Sequence, residues 1–206
     1  MQMSVLVDRV RALQRGRPGS RVLIGIAGEP GSGKSTLAAA LAEALGDAVV
    51  APMDGFHLSN AELRRLGLAD RKGAPETFDA FGYLALLGRL RAQKEGESVY
   101  APEYVRDVEE SIGSSILVAP EVPVVISEGN YLLLEGEPWS RVAEALDEVW
   151  FVDTPQEQRL EWLAARHVAF GKTPDAARAW ATGPDERNAA LVRASRARAS
   201  LVVGSR

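Results

Sequence analysis

Cysteine is absent from the sequence, and histidine occurs only at His57 and His167. Disulfides, thiol catalysis and cysteine-ligated zinc are therefore excluded, and so is a metal site made of several histidines. No apolar run approaches the roughly eighteen residues that a membrane-spanning helix needs. Asp8, Arg9 and Arg11 interrupt the first apolar stretch, which does not have the layout of a signal peptide. These absences predict a cytoplasmic protein without a membrane partner.

A surplus of positive charge is also absent, because 28 acidic residues stand against 24 basic ones and give a net charge of −4. Affinity for the phosphate backbone of nucleic acids depends on surplus lysine and arginine, so nucleic-acid binding is disfavoured. With 206 residues, 46% of them hydrophobic, the chain is long enough for one domain with its own core. We therefore expect a single domain over residues 1–206.

Short apolar runs alternate with amphipathic segments along the chain, a pattern typical of a parallel sheet covered by helices on both faces. A capping box of Thr154 and Glu157 marks the start of one predicted helix. Residues 98–119 are predicted to be a β-rich excursion. The fold class is therefore α/β, with other helices predicted at 34–45 and 185–199 and strands at 21–27, 48–53, 122–127, 148–153 and 201–203.

The segment from Gly28 to Ser35 reads Gly-Glu-Pro-Gly-Ser-Gly-Lys-Ser and matches the P-loop pattern in full. Glycines let consecutive backbone N–H groups face phosphate oxygens, and the helix that follows adds its positive dipole end. Lys34 is expected at the β- and γ-phosphates, and the Ser35 hydroxyl is expected to bind Mg²⁺. The residues assigned to nucleotide binding in this segment are Gly28, Glu29, Pro30, Gly31, Ser32, Gly33, Lys34, Ser35 and Thr36.

Two other kinds of nucleotide site fit the sequence less well. A dinucleotide site requires the order G-x-G-x-x-G, which these glycines do not follow. A GTPase needs the guanine-binding sequence N-K-x-D, which does not occur. The P-loop therefore indicates a nucleoside triphosphate, and residues outside it have to separate a kinase from an ATPase.

Further segments make the sequence similar to one family of P-loop enzymes. They read MDGFHLSN at 53–60, RKGAPETFD at 71–79, YVR at 104–106, SEGNYLLL at 127–134 and FVD at 151–153. Together they resemble the phosphoribulokinase/uridine kinase/bacterial pantothenate kinase family over nearly the whole chain, and most of all its fructose-kinase-like proteins associated with sugar transport. The resemblance implies a P-loop NTPase fold: a five-stranded parallel sheet of order 2-3-1-4-5, with helices on both faces and a small lid.

The resemblance also implies roles for two acids that follow predicted strands. Asp54 matches the acid that faces the substrate hydroxyl and can accept its proton. Glu128 matches the acid that helps to bind Mg²⁺. Both positions agree with the general rule that ligands of open α/β sheets bind at the carboxyl ends of the strands.

Other substrate ligands are expected in the excursion at about residues 54–119. Asp79 matches the acid that holds substrate hydroxyls in uridine kinases, and an N-cap of the next helix is the alternative. Tyr104 and Arg106 lie in a segment that the family uses for substrate contacts. His57, close behind the first acid, is either a substrate ligand or an ordinary loop residue.

Three cations match the lid of the family, which we expect at about residues 159–182. Arg159 and Arg166 are seven residues apart and hence on one helix face, and with Lys172 they would neutralise the transferring phosphoryl group. Arg166 is assigned to catalysis, and the other two cations are assigned to nucleotide binding. A solvent-exposed basic face is the alternative.

These residues together predict a kinase that uses ATP and Mg²⁺ and transfers the γ-phosphoryl group to a hydroxyl of a small metabolite. Lys34, Asp54 and Arg166 are its expected catalytic residues. A fructose-like sugar is the expected acceptor, and a nucleoside or pantothenate is the alternative. A nucleotide-dependent regulatory ATPase without an acceptor is the alternative from another class of protein. A homodimer is a possible assembly.

Overall fold

Helices and strands alternate along the chain in the structure, a computed structural model that describes residues 1–204. The strands are β1 Val22–Gly28, β2 Ala48–Val50, β3 Val99–Val105, β4 Glu110–Val118, β5 Val124–Gly129, β6 Glu148–Asp153 and β7 Leu201–Gly204. The α-helices are α1 Met3–Gly16, α2 Lys34–Leu45, α3 Asn60–Leu66, α4 Ala80–Ala92, α5 Ser140–Ala145, α6 Gln156–Ala169, α7 Pro174–Thr182 and α8 Pro184–Ala194. Short 3₁₀ helices lie at Met53–Phe56, Ala69–Arg71, Pro75–Thr77 and Arg196–Arg198.

One five-stranded sheet forms the centre of the molecule, with β1 as its middle strand. Its order is β2-β5-β1-β6-β7, and every neighbouring pair is parallel. Val22 of β1 pairs with Val124 of β5, and Ile24 of β1 pairs with Glu148 of β6. When only these five strands are numbered in chain order, without β3 and β4, the order is the expected 2-3-1-4-5. β3 and β4 form a separate antiparallel hairpin, which is the β-rich excursion predicted at 98–119.

The alternation of side chains along β1 supplies a hydrophobic core on each face of the sheet. Val22, Ile24 and Ile26 belong to a core shared with α1 and α2. Leu23 and Ala27 belong to the opposite core, to which α4 and α5 contribute. Because helices cover both faces, β1 is apolar and buried throughout. The carboxyl edge of the sheet is therefore the part open to a ligand.

The second strand is shorter than the sequence pattern predicts. β2 ends at Val50 instead of residue 53, because Pro52 has no N–H to donate to the sheet. The chain then turns into the 3₁₀ helix Met53–Phe56. This turn carries Asp54, which lies beyond the carboxyl end of the strand.

Two helix boundaries also differ from the predictions. α8 ends at Ala194 instead of residue 199, and a 3₁₀ turn leads on to β7. The capping box of Thr154 and Glu157 does not form, because the Thr154 hydroxyl donates to the carbonyl oxygen of Ser32, 2.8 Å away, instead of capping α6. No helix within residues 1–204 is both long and apolar enough to cross a bilayer.

The hairpin packs directly on the turn that carries Asp54. A Cβ atom on Gly55 would lie 2.3 Å from the carbonyl oxygen of Pro102 in β3. Such a distance is far below van der Waals contact, so only glycine lets the two backbones approach this closely. The glycine therefore fixes the separation between the hairpin and the acid.

We expect Gly55→Ala to destabilise the protein by about 1–3 kcal/mol, because the added methyl group must push backbone away from backbone. Urea unfolding at equilibrium measures this change. Gly88→Ala is the matched control, since nothing lies within 4 Å of a Cβ there and alanine is favoured over glycine in a helix by about 0.5–1 kcal/mol. Equal stability of the two variants would contradict the close packing of the hairpin.

Candidate active site

Two glycines give the P-loop between β1 and α2 its shape. Gly31 and Gly33 have φ angles of 81° and 86°, in the left-handed region that residues with a side chain disfavour. α2 begins at Lys34, so its unpaired N–H groups and the positive end of its dipole face the loop. The local structure is therefore the anion site that the sequence predicts.

Lys34 is buried at the carboxyl edge of the sheet, near two acids. Burial lowers the pKa of Lys34, and the nearby carboxylates of Glu128 and Asp54 act against this shift by favouring the charged amine. A desolvated cation interacts with an anionic ligand more strongly than a cation in water does. Lys34 therefore lies where it can bind both a phosphate chain and the groups beside it.

Ser35 and Glu128 form a pair of oxygen donors next to this lysine. The Ser35 hydroxyl donates to Oε1 of Glu128, 2.9 Å away. Oε2 of Glu128 is buried and has no hydrogen-bond partner among the described residues, and burial raises the pKa of Glu128. A hydroxyl and an unpartnered carboxylate oxygen suit a hard divalent cation, which prefers oxygen ligands. These two residues therefore fit the predicted Mg²⁺ site.

Asp54 lies on the 3₁₀ turn after β2, beside a cation of the hairpin. Its Oδ2 is 3.5 Å from Nη2 of Arg106. The guanidinium carbon of Arg106 lies 5.9 Å from the ring centroids of both Tyr104 and Phe170. Arg106 thus connects the acid to the hairpin and to the residue that follows α6.

His57 supports the same turn. Its Nδ1 donates to the carbonyl oxygen of Asp54, 2.8 Å away, because a carbonyl oxygen can only accept. The centroid of the His57 ring lies 4.0 Å from the ring centroid of Phe78 and 4.6 Å from that of Tyr104. Burial lowers the pKa of His57 and favours the neutral ring. In that form Nε2 has no proton and can only accept a hydrogen bond.

A cavity of about 680 Å³ connects these groups, which is a usual size for a small-molecule site. Arg166 and Lys172 form part of the wall on the side of α6 and α7, and Nζ of Lys172 lies 4.6 Å from the ring centroid of Trp180. Burial lowers the pKa of Arg166. The predicted site residues that line the cavity are Pro30, Lys34, Asp54, His57, Tyr104, Arg106, Arg166 and Lys172.

Seven polar or charged residues of the cavity were not predicted from the sequence as ligands: Lys72, Asp107, Glu109, Asn130, His167, Asp185 and Asn188. Lys72 and Asn130 belong to segments that carry the family resemblance, so their position in those segments was an available signal. Oδ1 of Asn130 is buried without a hydrogen-bond partner among the described residues. Asp185 and Asn188 lie on α8 and reach the cavity only through tertiary packing, for which the sequence carries no local signal.

Asp79 and Arg159 are predicted ligands that lie outside this cavity and bind other parts of the protein. Asp79 accepts a hydrogen bond from the backbone N–H of Gly82, 2.8 Å away, and so caps α4. It lines a separate hollow that also contains Phe81 and Trp139. The alternative role of Asp79, an N-cap, is therefore the one that the structure contains.

Arg159 was predicted to contact the nucleotide, and its position in the structure corrects this prediction. The side chain is fully buried behind the P-loop. Its Nε lies 3.1 Å from Oε2 of Glu29, and its Nη1 donates to the carbonyl oxygen of Pro30, 3.2 Å away. It also pairs with Glu186 of α8. Arg159 therefore binds the protein side of the loop instead of the ligand side.

Arg193 completes a partly buried network of two acids and two arginines. Its Nη2 lies 2.7 Å from Oε2 of Glu29 and 2.9 Å from Oε1 of Glu186. Arg159 of α6 also pairs with both acids. The network joins the P-loop to α6 and α8, and it leaves the carboxylate of Glu29 fully paired.

We expect Arg159→Met to destabilise the protein by about 3 kcal/mol, because it leaves a buried acid short of its partner. Adding Glu29→Gln should recover part of this loss by removing the uncompensated charge. Arg196→Met is the matched control: Arg196 pairs with Asp153 at 2.8 Å, but both side chains are about half exposed, and such pairs contribute less than about 1 kcal/mol. Chemical denaturation of the variants tests this, and equal losses at Arg159 and Arg196 would exclude a structural network.

Comparison with known proteins agrees with this geometry. The model of the phosphoribulokinase/uridine kinase family matches residues 23–177. A provisionally assigned uridine kinase of Schizosaccharomyces pombe is 37% identical over 78% of this chain and 72% of its own length. The pantothenate kinase of Limosilactobacillus reuteri is 34% identical over 83% of this chain, which spans only 56% of that enzyme.

A solved structure is similar over almost its full length. It comes from Silicibacter sp. TM1040 and is provisionally described as a fructose transport system kinase. The TM-score is 0.91 and the identity is 39%, over 98% of this chain and 99% of that chain. The match of the family model, these relatives and the P-loop site together show that the chain belongs to the phosphoribulokinase/uridine kinase family and is an ATP-dependent kinase.

Proposed function

We propose that this kinase transfers the γ-phosphoryl group of Mg·ATP to a hydroxyl group of a sugar, with Asp54 as the general base. The observation that carries the proposal is the position of Asp54 in one cavity with Lys34 and Arg166. A phosphate-binding lysine and a carboxylate that line one ligand-sized space are what phosphoryl transfer to an alcohol requires.

The reaction follows from these positions. The carboxylate of Asp54 accepts the proton of the acceptor hydroxyl as its oxygen forms a bond to the γ-phosphorus. The bond from that phosphorus to the bridging oxygen of the β-phosphate breaks, and ADP leaves. Lys34 and Arg166 stabilise the charge on the transferring group, which is where most catalysis in such reactions arises.

Ser35 and Glu128 are the residues that would hold Mg²⁺. Their donor oxygens are adjacent, and one carboxylate oxygen is buried without a partner among the described residues. When bound, the ion supplies positive charge to the β- and γ-phosphates. Lys34, at the start of the same helix, can bind the same phosphates.

The segment from α6 to α7 is the proposed lid. Arg166, Phe170, Lys172 and Trp180 all line the cavity from this side. Closure over the phosphates would exclude water and so strengthen each of these charges. Arg159 lies at the fixed end of the segment, because it is paired beneath the P-loop.

The acceptor end of the cavity contains aromatic and polar groups that suit a hydroxylated ring. Tyr104 and His57 lie against each other, with 4.6 Å between their ring centroids, and both carry hydrogen-bonding atoms. Nζ of Lys72 lies 5.2 Å from the centroid of the same tyrosine ring. The similarity to the Silicibacter protein, whose description names fructose transport, supports a sugar. The uridine kinase and pantothenate kinase names of other relatives make a nucleoside or pantothenate the second candidate.

A regulatory ATPase is the competing function from another class. Such a protein needs a polarised water molecule at the γ-phosphate but no second ligand. The cavity continues past Asp54 to Tyr104 and Lys72, and this additional space favours a kinase.

We expect Asp54→Asn to lower kcat for the acceptor by about a hundredfold to ten-thousandfold, the usual contribution of a positioned general base. ATP affinity should change little, because the P-loop supplies most phosphate contacts. Steady-state kinetics and calorimetry measure these two quantities. Asp8→Asn, an exposed acid on α1, is the control. A collapse of ATP affinity would instead make Asp54 a metal-site residue.

The acceptor is identified by incubating the protein with Mg·ATP and single compounds, followed by mass spectrometry of the products. Fructose and other hexoses, uridine, cytidine and pantothenate form the panel. A phosphorylated sugar is the expected product. Phosphorylation of a nucleoside or of pantothenate alone would exclude the sugar, and ATP hydrolysis without any phosphorylated product would favour the ATPase.

A further inference from the structure

Trp162 is a large aromatic side chain on α6 that the proposed reaction does not use. It is 41% exposed, although a tryptophan in a folded protein is usually well buried. A Cβ atom on Gly33 would lie 3.6 Å from Cζ3 of Trp162. The indole therefore lies directly against the P-loop, one residue before the phosphate-binding lysine, with much of its surface open.

Arg166 shows which part of a nucleotide Trp162 would meet. The two residues are four positions apart and therefore on the same face of α6, one turn from each other. Arg166 lines the cavity that contains Asp54, which is the end where the γ-phosphate reacts. Trp162 is not among the residues of that cavity and lies nearer the start of α6. The nucleoside leaves the P-loop away from the reacting γ-phosphate, and Trp162 is placed to meet it because it lies against Gly33, one helical turn from Arg166.

We propose that Trp162 forms one face of the nucleobase subsite, with its indole stacked on the purine of the nucleotide held by the P-loop. This inference rests on the proposed kinase function. Stacking involves the face of a base, and every base has such a face, so the contact adds affinity without selecting between adenine and guanine. Any preference for ATP over GTP comes from groups at the edge of the base.

The packing of α6 supports this role. Leu163, the next residue, is completely buried and anchors the helix against the P-loop, since its Cβ would lie 3.0 Å from a Cβ on Gly31. The indole of Trp162 is therefore not needed to hold the helix in place, and its removal should leave the fold intact.

The test compares ATP with inorganic tripolyphosphate, which has the phosphate chain but no base, by calorimetry in the presence of Mg²⁺. Trp162→Ala should weaken ATP binding by about ten- to a hundredfold, the usual effect of losing one stacking partner. It should leave tripolyphosphate binding unchanged. Trp162→Phe, which retains an aromatic face, should stay within about threefold of the native ATP affinity. Phe81→Ala removes another exposed aromatic, 63% exposed on α4, and should change neither ligand.

Fluorescence gives a second readout. ATP should quench the native protein more strongly than tripolyphosphate does, and this difference should disappear in Trp162→Phe. Unchanged ATP affinity in Trp162→Ala would overturn the subsite, and equal losses of both ligands would show that Trp162 acts on the P-loop instead of the base. If the native protein bound neither ligand, the kinase function itself would fail, and the subsite with it.

Discussion

The carboxylate of Glu29 is the constraint on which the rest of the site depends. It lies within the P-loop and is almost completely buried, so it must be paired. Arg159 from α6 and Arg193 from α8 both bind it. A loop rich in glycine loses much conformational entropy on ordering, and these ion pairs help to offset that loss. Because the charges hold the loop from behind, its N–H groups are free to face a phosphate chain, and the positions of α6 and α8 follow from the same contacts.

The chemistry depends on a second support, on the other side of the cavity. Asp54 is not part of a strand, and its position is set by the short 3₁₀ turn after β2, which packs against the hairpin. His57 binds the backbone of that turn, and Gly55 lets β3 pack against it. Arg106 reaches back from the hairpin to the acid. The phosphate side is thus fixed by buried charge, whereas the acceptor side is fixed by close backbone packing and aromatic contacts.

The sequence was sufficient for the sheet and for the phosphate site, because both depend on local patterns. Apolar runs mark the five parallel strands, and the spacing of glycine, Lys34 and Ser35 is specific to phosphate-binding loops. Arg159 shows the limit of local patterns. Its seven-residue spacing from Arg166 indicates a shared helix face, but it does not predict that Arg159 packs under the P-loop while Arg166 lines the cavity. The early end of β2 could have been predicted from Pro52, because proline has no N–H to donate to a neighbouring strand. Asp185 and Asn188 enter the cavity through packing of α8, which no local pattern encodes.

The pairing of Glu29 with Arg193 has a consequence for how the domain is assembled. The motif that defines the site is complete by residue 35, yet the cations that pair with its buried acid come from residues 159 and 193. A ribosome that has released only the chain up to β6 has produced the motif without the charges that hold it. The buried acid of the phosphate site therefore has neither arginine partner until α6 and α8 have been synthesised and docked. For the same reason, a fragment that ends after β6 contains the full consensus sequence but has an unpaired acid at its centre, and it should not be used as a minimal nucleotide-binding domain.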